Sequence, residues 1–178
     1  MDTGFADKTS RAETLACTAL EIAKGQLGQS EKPAGSNSGP MVNEYLRAAG
    51  LKPGYPWCQA FVYWCYEEAA KWLGIQNPLL RTAGVHDCWN RTSAGKHIVK
   101  IPKANALLHP EQIGPGDQVI LFLSDAEGHT GIVEAVKGNL LYTIEGNSNK
   151  NGSREGYEVV RHTRNLDDKV LQGLIKYL

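Results

Sequence analysis

Hydrophobic and polar positions divide the chain into a helical first half and a strand-rich second half. Leu15, Ala19, Ile22, Ala23 and Leu27 recur at helical spacing. Ser10-Arg11-Ala12-Glu13 fits a capping box, so the first helix is expected from Ser10 to a stop at Gly28. Residues 29–39 are polar and rich in turn formers. Pro40 then opens a second helix that Gly50 closes. Lys52 to Pro56 make a hard turn. Beyond it the stripe Trp57, Ala60, Phe61, Trp64, Cys65, Ala69 and Trp72 predicts an aromatic-rich, core-facing helix from Trp57 to Leu73, stopped by Gly74. Residues 75–97 read as loop with a short helix around Val85–Trp89. From Ile98 the period becomes that of strands: Ile98–Ile101, Asp117–Leu123, His129–Val136, Leu140–Glu145, Tyr157–Thr163 and Gly173–Tyr177. Helices followed by strands, without β-α alternation, predict an α+β fold with helices packed on an antiparallel sheet.

The 178 residues suit one domain, expected over 10–178 after a disordered or tag-like segment at 1–9. Lys+Arg and Asp+Glu are 19 each, so the formal charge is zero. That balance argues against a nucleic-acid binder and against attraction to an anionic membrane. No apolar run approaches membrane-spanning length, and the N-terminus does not read as a signal peptide. The expectation is a monomer made in the cytoplasm, or a secreted protein whose signal has been removed. Cys17, Cys58, Cys65 and Cys88 contain no C-x-x-C pair and are expected as free thiols.

Candidate chemistry starts at Cys58. The Gly54-Tyr55-Pro56 turn forces it into the first turn of a long helix. Unpaired N–H groups and the helix dipole there favour a thiolate and could hold an oxyanion. A lone cysteine is ordinarily inert core, which is the reading for mid-stripe Cys65. A nucleophile needs a base. Among five histidines, His129 opens a strand. If Lys137-Gly138-Asn139 is the hairpin loop, Val136 faces Leu140, Gly131 faces Glu145, and His129 faces Asn147. His129, Glu145 and Asn147 then share one sheet face, unless the register slips by one residue. Glu145 lies diagonal to His129, where a carboxylate fixes the imidazole tautomer. Tyr55, Trp57 and Gln59 flank the cysteine and are candidates to line the substrate groove, as is Trp89 in the weakly patterned stretch. Trp64 and Trp72 are expected in the core. A zinc module is disfavoured, because His86 and Cys88 are the only close ligand pair.

Three blocks, Tyr55 to Cys65, Gly128-His129-Thr130-Gly131-Ile132-Val133, and Ile144-Glu145-Gly146-Asn147-Ser148-Asn149, resemble the signature blocks of CHAP domains. These are cysteine, histidine-dependent amidohydrolases/peptidases related to the NlpC/P60 and papain-like enzymes. Gly114-Pro115-Gly116-Asp117 and the loop Glu31 to Pro40 are similar as well, and the likeness spans roughly residues 12–177. It implies a papain-like fold and a thioester mechanism. Cys58 would be the nucleophile, His129 the base and then acid, Glu145 the orienting group, and Asn147 a residue that assists the site. It implies hydrolysis of bacterial peptidoglycan, in the stem peptide or at the sugar–peptide amide, with no cofactor and no metal. The aspartate-rich calcium loop of some phage members does not precede Cys58. A phage lysin, a delivered antibacterial effector with an immunity protein, and a housekeeping hydrolase all fit. So does the same chemistry on protein amides, as a deamidase, transglutaminase or protease.

Overall fold

The computed structural model describes residues 4–149 and 156–178. Helix α1 (Gly4–Gly25) begins six residues before the expected start at Ser10. No proline or glycine interrupts residues 5–24, so nothing stops the helix from extending backwards into the segment expected to be irregular. Residues 1–3 lie outside the described residues. Helix α2 (Pro40–Ala48) carries its proline at the N-terminus, and α3 (Cys58–Leu73) ends at left-handed Gly74. A short α4 (Val85–Arg91) leads to β1 (Ile98–Pro102). Then comes α5 (Lys103–Leu108), which the sequence pattern does not signal: of its six residues only Ala106 is buried, too few to make a period. The strands β2 (Gln118–Phe122), β3 (Gly128–Lys137), β4 (Leu140–Ser148), β5 (Glu158–Asn165) and β6 (Leu171–Tyr177) follow. They form one antiparallel sheet in the order β1-β6-β2-β3-β4-β5.

Alternation along the strands builds two cores. Ile120, Ile132, Ile144, Val159 and Ile175 face the helices and close a large cluster with α1, α2 and α3. Val119, Leu121, Val133, Leu141 and Leu174 face the other way and are covered by Ala106, Ile113, Leu166 and Leu171. Helix α3 lies directly on β3 and β4. The turn before β2 is tied to it, since Tyr66 donates its hydroxyl to the Gly116 carbonyl at 2.6 Å. Trp72 departs from expectation. It sits on the last turn of α3, beyond the layer that covers Cys65, and is 83% exposed. Trp64 is half-buried against Tyr45. Among the described residues no helix is long and apolar enough to cross a membrane.

The β3–β4 hairpin corrects the expected loop. Lys137 pairs with Leu140, so the turn has two residues, Gly138-Asn139, and Val136 faces Leu141 rather than Leu140. A bulge between Val133 and Ala135 then absorbs one residue of β3, and Ile132 pairs with Ile144. The short loop and the bulge cancel. Near the end of the sheet the register is therefore the one expected, and it brings His129 towards Glu145.

Candidate active site

Helix α3 positions the candidate nucleophile. Trp57 is its N-cap residue, with no side-chain cap, and Cys58 is its first helical residue. Trp57 is fully buried and its indole N–H is turned to Glu31, at 2.9 Å from Oε1. This seating requires Gly146 on β4: a Cβ there would stand 2.7 Å from the Trp57 ring and 2.8 Å from Phe61 Cβ. Glycine at 146 thus lets the start of α3 lie on the strand that carries Glu145 and Asn147. Gly146→Ala is expected to cost about 1–3 kcal/mol by overpacking. It should also slow turnover by moving Cys58 off His129. Urea denaturation and a rate measurement on the same sample check both.

Cys58 lines the same cleft as His129 and acts on its ring, favouring the charged imidazole. On its other side the ring donates from Nε2 to Glu145 Oε2 at 2.8 Å, since a carboxylate can only accept. Nδ1 is the nitrogen left for Cys58. All three side chains are buried, Glu145 completely. Gly131 makes the approach feasible, because a Cβ there would fall 2.5 Å from Glu145 Cγ. Glu145 also accepts the Thr143 hydroxyl at 2.7 Å and a two-pronged bond from Arg164, at 2.9 Å from Nε and 2.5 Å from Nη2.

Electrostatics follow from these contacts. Burial opposes charge on His129, but the bonds to Cys58 and Glu145 outweigh it and push the imidazole up to about 10. Burial would raise the Glu145 carboxyl too, yet Arg164 and His129 hold it well below the ordinary carboxylate range. The site is thus arranged to hold an imidazolium between a sulfur and a carboxylate. A raised histidine stabilises the fold below its ordinary value of 6.5, and that contribution fades as pH rises towards 10. The stability lost in His129→Phe should therefore be largest near pH 5–6 and shrink steadily above about pH 6.5. Chemical denaturation of both proteins from pH 5 to 10 checks it.

Asn147 sits in a β4 bulge with left-handed backbone, φ 53°, and lines a cleft with Cys58 and His129. Glu31, Asn37, Pro56, Val85 and Glu127 complete the working walls. The structure corrects three of the residues expected in the groove. Trp57 is core, held by Glu31 and Gly146. The Gln59 side chain is fully buried and accepts from Gln118 at 2.7 Å. Trp89 packs into the helix-side core, against β6 at Gly173 and under the Lys100 ammonium. Helix-facing aromatic and amide groups at these positions are consumed by packing. Tyr55 is exposed beside Pro56 of the cleft wall but is not itself part of the lining. Sequence reasoning missed Thr143 and Arg164. Thr143 shares the Glu145 alternation and was accessible by parity. Arg164 lies one residue past the expected strand end at Thr163, whereas β5 continues to Asn165. Among the described residues no cluster of His, Cys, Asp and Glu is arranged to hold a metal ion.

A family model for the CHAP domain matches residues 50–147, more than half of the chain, and that span holds Cys58, His129, Glu145 and Asn147. The chain belongs to the CHAP domain family. The fold of this CHAP domain is α+β and papain-like, with the cysteine at the start of a central helix packed on an antiparallel sheet. It is similar to the wild type endolysin LysIME-EF1, with a TM-score of 0.51 and 16% identity over 91% of this chain and 64% of that one. Ly7917 aligns with a TM-score of 0.47 and 19% identity, over 91% of this chain and 62% of that one. The CHAP domain chain thus spans less than two thirds of either solved protein. No curated protein matches it.

Proposed function

We propose that this CHAP domain is a cysteine amidohydrolase/peptidase that cleaves amide bonds in bacterial peptidoglycan. The placing of Cys58 beside His129, with His129 held by Glu145 and Glu145 by Arg164, carries the reading. The Cys58 sulfur attacks the amide carbonyl, and the N–H groups opening α3 receive the oxyanion. The His129 imidazolium protonates the leaving amine, giving a thioester on Cys58. His129 then takes a proton from water, which attacks the thioester, releases the acid and restores the thiol. Glu145 keeps the ring in the tautomer that presents Nδ1 to sulfur, and Arg164 and Thr143 keep Glu145 in place. Membership of the CHAP family supports the chemistry, and the shared fold with an endolysin supports the cell wall as substrate. The domain would act at the wall, reached by lysis or export.

Digestion of purified peptidoglycan with wild type and Cys58→Ala, read by mass spectrometry of released muropeptides, tests this. New termini are expected from the wild type alone, and they identify the bond. Iodoacetamide should stop the reaction and a chelator should leave it unchanged. Absence of any release from several wall types would overturn the peptidoglycan assignment and redirect the chemistry to protein amides.

A further inference from the structure

One buried charge in the cleft has no use in the relay. Glu31 is only 4% exposed and lines the same cleft as Cys58, His129 and Asn147. Its backbone is fixed: residues 28–31 run along the edge of β5, with Gly28 N–H on the Val159 carbonyl and Glu31 N–H on the Tyr157 carbonyl at 2.8 Å. Its side chain is fixed by the Trp57 indole, which takes up Oε1. Oε2 is buried with no hydrogen-bond partner. An unsatisfied buried carboxylate oxygen is costly, and it is satisfied most fully by a charged donor. No lysine or arginine lines the cleft among the described residues. A donor carried by the substrate would satisfy Oε2.

We propose that Glu31 is the receptor for a substrate ammonium group, with Oε2 accepting from it while Trp57 holds Oε1. The inference rests on the peptidoglycan reading and narrows it. Stem peptides and cross-bridges carry free amines, on diamino-acid side chains and on uncapped peptide ends. The amide joining the lactyl sugar to the peptide has no such group beside it. Glu31 therefore points to a peptide endopeptidase that selects a bond near a free amine.

The test uses purified peptidoglycan with its amines free and the same material acetylated with acetic anhydride. Rates of new-terminus formation are compared for wild type and Glu31→Gln, which keeps an oxygen for the Trp57 N–H. The wild type should cut the free-amine wall about ten- to a hundredfold faster than the acetylated wall, and Glu31→Gln should lose that preference. A ratio of rates within one protein does not depend on how much of the variant is folded, so a merely structural role for Glu31 would leave it unmoved. Equal wild-type rates on both walls would overturn the inference. So would a preference that survives in Glu31→Gln, because the amine would then be read elsewhere. Release from neither wall would instead overturn the peptidoglycan reading, and this inference with it.

Discussion

Cys58→Ala is expected to lower turnover by about 10⁴-fold or more while shifting the unfolding midpoint by no more than about 4 °C. None of the other three thiols can replace it. Cys65 is wholly buried in α3, and burial pushes its thiol well above the ordinary range. Burial raises Cys88 as well, and its sulfur faces Gln118 rather than a histidine. Cys17 is exposed on α1, away from the relay. Only Cys58 joins a helix start to the His129 ring. Cys58→Ser should be equally inactive, because a hydroxyl is a far weaker nucleophile than a sulfur in the same place. Little packing is lost, since one atom is removed at the edge of the core. A paired assay of muropeptide release and thermal unfolding separates this result from misfolding.

Glu145→Ala should be the most damaging single change to both stability and rate. It removes the acceptor of Arg164, Thr143 and His129 at once and leaves Arg164, with 17% of its side chain exposed, without its partner. Breaking a buried pair in this way costs about 3–5 kcal/mol. The histidine loses its tautomer control as well, a loss on the order of 10³- to 10⁴-fold in rate. Glu145→Gln divides the two effects. It fills the same volume and keeps an oxygen for Arg164, so most of the stability returns while the rate stays low. The acid side follows from sign. A carboxylate held low in the folded state stabilises above its ordinary value of 4.5, and the benefit disappears as pH falls. The stability gap between wild type and Glu145→Gln should begin to narrow below about pH 4.5 and go on narrowing as pH falls further. Guanidinium denaturation at pH 3, 5 and 7 reads it directly.

Residues whose placement depends on local pattern were legible in the sequence. Pro56 and Gly74 bracket α3, so Cys58 at a helix start followed from turn chemistry alone. The six strands followed from alternation, and α+β from their order. The expected register, which sets Glu145 diagonal to His129, rested on a three-residue loop. The actual two-residue loop is compensated by a bulge in β3, a feature that periodicity does not reveal. Residues whose roles depend on packing were not legible. Trp57 and Gln59 looked like groove residues by proximity to Cys58, and Trp89 by its weakly patterned stretch, but a helix buries most of its circumference when sheet and helices enclose it, as they do α3, and Trp89 is taken into the same core. Trp72 looked like core by spacing, yet a helix can outrun the layer that covers it. Glu31 and Arg164 come to the site from residues far away along the chain, by edge pairing along β5 and by the length of a guanidinium side chain.

In the proposed mechanism Cys58 carries the acyl group. Acid-quenched turnover on peptidoglycan fragments, followed by intact mass and peptide mapping, tests it. A transient adduct is expected on Cys58, equal in mass to the released acid product less water. It should be lost on treatment with hydroxylamine and absent in Cys58→Ala. Full turnover by Cys58→Ala, or an adduct carried on Cys17, Cys65 or Cys88 instead, would contradict it.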